Sequence, residues 1–132
     1  MITDLLNTNE KKALIVLLKK VISANGKIVN NEKIFFDSFK QMLSLKGSKL
    51  NYNESTINLC NKFKSHNSKV VCLLEMIGIA WVDNDFQKEE KLFIEEVCKF
   101  FNFNKSVIKT YSKWSKDMAN LQLQLYKYLK FN

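Results

Sequence analysis

Residues 70–97 read VVCLLEMIGIAWV (70–82), DND (83–85) and FQKEEKLFIEEV (86–97). The first segment carries one charge, Glu75, so as a helix it is apolar on nearly every side. Such a helix belongs at the centre of a bundle. It is too short for a bilayer span, which takes about 20 apolar residues. The third segment places Leu92, Phe93, Ile94 and Val97, followed by Phe100, at helical spacings. An apolar helix, a polar break and an amphipathic acidic helix together predict an all-α protein.

The flanking chain continues this pattern. Asn7-x-x-Glu10 matches a capping box and opens a helix that runs to Ala24, where Asn25-Gly26 tolerates the left-handed backbone of a helix end. A second helix, with Glu32 in its first turn, runs from Asn30 or Asn31 to Gly47. Residues 48–53 read as a loop, and a short third helix extends from Asn53 to Phe63. The polar turn Ser65-His66-Asn67-Ser68 follows, with Ser68 as cap of the central helix. The fifth helix spans about 87–101. Asn104 caps the sixth, which spans about 105–130. In that last helix Val107, Tyr111, Trp114, Met118, Leu121, Leu125 and Tyr128 are spaced alternately by four and three, a heptad seam. The seam either closes over the bundle or pairs with another subunit or a partner, giving a homo-oligomer in the former case of pairing.

At 132 residues, 46% of them apolar, the chain reads as a single domain, residues 1–132, with material for a real core. The absence of proline and the presence of only 3 glycines also favour helix. No charged-then-apolar start marks a secretory signal, since Asp4 and Asn7 interrupt Ile2, Leu5 and Leu6. Cys60, Cys72 and Cys98 are odd in number, form no CxxC pair and lie in apolar segments, as buried reduced thiols of a cytoplasmic protein do.

The net charge of +8 comes entirely from Lys, with no run longer than Lys11-Lys12 or Lys19-Lys20. Diffuse Lys without Arg describes a solvated surface and argues against nucleic acid. The acids are concentrated instead. Between Glu75 and Glu96 there are 7 acidic residues and 2 Lys, a net of −5, which leaves +13 on the rest of the chain. An acidic segment in a basic chain is a candidate cation or partner site, or else it neutralises Lys on neighbouring helices.

The halves of the chain repeat at an offset of 58 residues, with ALIVLLKKVISANGKIVNNEKIFFDSF (13–39) lying over residues 70–97. In this register Asn25 meets Asp83, Gly26 meets Asn84, Glu32 meets Glu90, Lys33 meets Lys91 and Phe35 meets Phe93. The repeat halves span about 10–45 and 69–102 and predict two helical hairpins whose apolar helices bury each other about a pseudo-twofold axis.

The phrases SANGKIVNNEK and WVDNDFQKEEK resemble the paired acidic hairpins of the tellurite-resistance TerB-like family, which includes the N-terminal segment of membrane-anchored J-domain co-chaperones. The resemblance covers about residues 10–102. It implies an all-α fold of two related hairpins, no enzymatic activity, a role in stress-associated complexes near the membrane, and divalent metal held by acidic turn residues. The chain departs from the pattern where Asn25 replaces Asp in the first turn and Asp85 replaces Gly in the second, while Asp83 and Glu90 are kept.

Read from the residues themselves, Asp83, Asp85 and Glu90, with Glu89 beside them, offer hard oxygen ligands to Mg²⁺ or Ca²⁺, and Glu32 would complete the site across the repeat. The spacing is not that of an EF-hand, since Lys88 and Ile94 stand where Gly and Glu are required. Asp before a helix and Glu in its first turn are also what capping and the macrodipole favour, so both explanations stay open. Catalytic signatures are lacking: there is no nucleophile elbow, Gly-rich phosphate loop or HExxH, and the lone His66 has no companion acids or thiols. The sequence therefore predicts a non-enzymatic module that docks a protein partner through Glu89, Glu95 and Glu96. The alternative is a Lys-rich module on an anionic membrane surface or nucleic acid.

Overall fold

Helix α4 (His66–Ala80) carries the apolar run and forms the axis of the molecule. A computed structural model describes residues 2–28, 30–45, 47–82 and 85–129, with the side chains of residues 123 and 126 outside that description. A 3₁₀ turn (Ile2–Leu5) precedes α1 (Thr8–Ile22), α2 (Asn30–Met42) and α3 (Thr56–Cys60); after α4 come α5 (Lys88–Phe100) and α6 (Val107–Tyr128). The fold is all-α, with no strand among the described residues, and no described helix is long and apolar enough to cross a membrane.

Helices α1 and α4 pack face to face, and each also touches α2 and α5. This reciprocal arrangement is what two related hairpins produce when their apolar helices pair. Leu14, Leu17, Leu18 and Val21 of α1 and Leu73, Met76, Ile77 and Ile79 of α4 have no exposed surface. Burial of each such side chain stabilises the fold by about 1.5–3 kcal/mol. Cys72 and Cys98 are fully buried and Cys60 nearly so; all three are unbridged, and burial pushes the Cys60 thiol up to about 12.

Local chemistry sets the helix ends. Asn7 Oδ1 accepts from the Glu10 N–H and Glu10 Oε1 from the Asn7 N–H, completing the capping box. Helix α1 stops at Ile22, and Gly26 takes φ +79. Helix α2 ends at Met42, five residues before the expected Gly47, because Ser44 adopts φ 56 and the chain turns to bury Leu45. Helix α3 is likewise shorter than expected: Ser55 caps it at one end, and the turn after Cys60 buries Phe63. Ser65, rather than Ser68, caps α4. Ser68 sits three residues on, and the two serines exchange backbone-to-hydroxyl bonds. His66 thus opens the helix and stacks on Phe103, with ring centroids 5.5 Å apart.

Helix α6 differs most from expectation. Its first turns seat on α4 through Ile108 and Ser112, with the first two seam residues, Val107 and Tyr111, packed partly buried beside them. The Trp81 Nε1–H donates to Ser112 Oγ at 2.9 Å, and Lys116 Nζ lies 3.8 Å above the Trp81 ring. Every described side chain from Lys116 to Leu129 is exposed, so the last turns stand clear of the bundle rather than closing over it.

Candidate functional site: a buried carboxyl pair and an acidic helix face

Glu32 and Glu90 occupy the first turns of α2 and α5, where the helix dipole favours acids. They are repeat equivalents, and the packing of the two hairpins brings them together. Both carboxyls are buried, with Glu32 5% and Glu90 2% exposed, and they lie close enough for Glu32 to act on Glu90. Glu90 Oε1 accepts from the Gln87 N–H at 2.9 Å, whereas Glu90 Oε2 is buried and receives no N–H or hydroxyl donor. A carboxylate in such a setting loses its hydration and meets a like charge, and both effects favour its protonated form. Accordingly the Glu90 carboxyl is pushed up to about 8, chiefly by burial, then by Glu32 and the nearby charge of Asp85, against the lowering effect of the Gln87 N–H.

The other expected ligands are placed differently. Asp85 is exposed and accepts from Gln87 Nε2; it lies close enough to act on Glu90 through its charge. Asp83 lies outside the described residues. Glu89 shares the first turn of α5 with Glu90 but is exposed. Among the described residues no group of three His, Cys, Asp or Glu side chains is spaced to hold a metal ion. The pair brings together two buried carboxyls, and Glu90 Oε2 has no hydrogen-bond donor.

Glu95 and Glu96 lie farther along α5. They line a shallow surface groove of about 470 Å³ with Leu92, Lys99, Phe103 and Lys105. Leu92 is 54% exposed. Among the described residues, the ion pairs Lys33–Asp37, Lys62–Glu54 and Lys113–Asp117 involve none of Glu75, Asp85, Glu89, Glu90, Glu95 and Glu96.

Two features were missed in the sequence. Glu75 sits half-buried in the centre of α4 without an ion pair, and burial pushes its carboxyl up to about 7. Its isolation in an apolar run was the available signal. The contact between Trp81 and Ser112 spans 31 residues and has no local signature. Comparison with protein-family models, with curated proteins and with solved structures found no match.

Proposed function

We propose that this chain is a non-enzymatic, TerB-like binding module that docks a basic protein segment on the acidic face of α5. The observation that carries this reading is that, among the described residues, Glu89, Glu95 and Glu96 form no ion pair in a chain whose remainder is strongly basic. A segment bearing Lys or Arg beside an apolar side chain would meet Glu95 and Glu96 with its charges and Leu92 and Phe103 with its apolar group. A stress-associated role in the cytoplasm belongs to the same proposal, and the unbridged thiols support a reducing compartment.

A divalent cation, Mg²⁺ or Ca²⁺, would condition this docking from the Glu32–Glu90 pair. Replacing the Glu90 proton by a cation would fix the start of α5, and with it the orientation of the groove-lining residues one and two turns later. No catalytic step is assigned to either acid.

The docking test is binding of a synthetic amphipathic Lys/Leu peptide to the protein and to the Glu95→Lys, Glu96→Lys double variant, measured by fluorescence anisotropy. We expect a loss of affinity of at least tenfold in the variant and a steep weakening between 50 and 300 mM salt on the order expected for screened charges. Equal binding by both proteins would remove the acidic face as the docking site. The cation test is a thermal melt of metal-stripped protein with millimolar Mg²⁺, Ca²⁺ or Mn²⁺, since a ligand of the folded state raises the midpoint. A shift retained by the Asp83→Asn, Glu90→Gln variant would place the cation elsewhere.

A further inference from the structure

The projecting end of α6 carries Trp114, Met118, Leu121, Leu125 and Tyr128 on one side, with exposures of 43%, 39%, 59%, 53% and 81%. The seam begins at Val107 and Tyr111, which pack at the edge of the core, and from Trp114 onward it runs one residue out of step with Ile108 and Ser112, the pair buried against the bundle. It is therefore rotated by about 100° from the seated face, because successive helical residues advance by that angle. The bundle cannot cover it without unseating α6, which Trp81 holds through Ser112 and Lys116.

We propose that this seam pairs with the same seam of a second copy of the chain, as an antiparallel two-helix contact. The spacing of four and three is that of a coiled-coil core, so the surface that follows it over several turns is another helix. Charge placement favours a like partner. The positions flanking the seam are Ser115, Asp117, Gln122 and Gln124, while Lys109, Lys113, Lys116 and Lys127 fall on the outer side of the helix. No lysine faces lysine across the contact, and no charge pattern calls for a partner of opposite sign.

The area is adequate. Taking roughly 200 Å² for a fully exposed large side chain, the five residues present about 550 Å² per copy. Two copies then bury about 1,100 Å² of seam alone, and the flanking side chains carry the total into the ~1,200–2,000 Å² of stable specific interfaces. The antiparallel sense brings Met118 opposite Leu121 and Trp114 opposite Leu125, so that each of these four finds an apolar counterpart. It also sets the two basic bundles at opposite ends of the pair, where a parallel arrangement would crowd them together. The contact is isologous and closes on itself as a dimer.

Sedimentation equilibrium from micromolar to several hundred micromolar protein, repeated at high salt, tests the pairing. We expect a concentration-dependent rise to twice the 15.5 kDa chain mass, undiminished by salt. The Leu121→Glu, Leu125→Glu variant changes only exposed positions, so it should retain its circular dichroism and remain at the monomer mass throughout. A wild-type protein that stays monomeric over the whole range overturns the proposal, as does a dimer that survives the double substitution. Vesicles of phosphatidylserine provide the competing outcome: a monomeric wild type that binds them, with binding lost in the double variant, would assign the seam to a membrane surface instead.

Discussion

Replacing Glu90 by Gln probes the buried carboxyl pair with little change of shape. The amide keeps an oxygen to accept the Gln87 N–H and gains an N–H for the Glu32 carboxylate, so the bond from Gln87 survives while the titration is lost. In the wild type the Glu90 carboxyl titrates at about 8 in the folded chain against an ordinary 4.5. A folded value above the unfolded one means that the native state holds its proton more tightly. The associated stability is complete below about pH 4.5 and is lost as pH rises toward about 8. At about 1.4 kcal/mol per unit the full gap is roughly 4–5 kcal/mol, and relaxation of the site and water entry in the charged form reduce it to about 2 kcal/mol. Urea unfolding of metal-stripped protein at pH 5 and pH 9 is the assay. The variant should match the wild type at pH 5 and exceed it by about 2 kcal/mol at pH 9. Millimolar Mg²⁺ or Ca²⁺ should restore the wild type at pH 9 and leave the variant unchanged. A variant whose difference from wild type is the same at both pH values would refute the raised proton affinity of Glu90.

Three further substitutions test other parts of the molecule. Glu75→Gln removes the half-buried acid of α4 that titrates at about 7; stability should be unchanged at pH 4 and raised by about 1–2 kcal/mol at pH 8, after discounting for partial exposure, as read from denaturant midpoints. Trp81→Phe keeps a ring beside Phe86 but strips the donor from the buried Ser112 hydroxyl; a loss of about 1–3 kcal/mol is expected, accompanied by faster hydrogen exchange in the first turns of α6. Leu73→Ala opens a cavity at the contact of α4 with its neighbours, where Leu73 has no exposed surface; calorimetry should show a loss of about 2–5 kcal/mol, and a smaller loss would mean that the site collapses around the deleted atoms.

The reach of the sequence differs from one element to the next. The apolar run 70–82 determined a central helix because a segment with one charge in thirteen positions has no side to give to water. The capping box at Asn7 and Glu10 was equally legible, since both partners lie within one turn. The 58-residue repeat placed Glu32 and Glu90 in equivalent turns, yet equivalence alone does not say that two side chains touch. Their approach follows from the packing of α1 on α4, the helices that lead into α2 and α5.

Helix ends set by distant burial were less legible. α2 stops at Met42 because Leu45 is drawn into the core, and no residue near Met42 announces it. The heptad seam of α6 shows the limit most plainly. Its spacing determined that an apolar stripe exists, but the stripe and the seated face are only one residue apart in register. Which of the two meets the bundle was decided by Trp81 and Ser112, joined across 31 residues. Periodicity is a property of neighbours along the chain, whereas the rotation of a helix about its axis is settled by the few long-range contacts that anchor it.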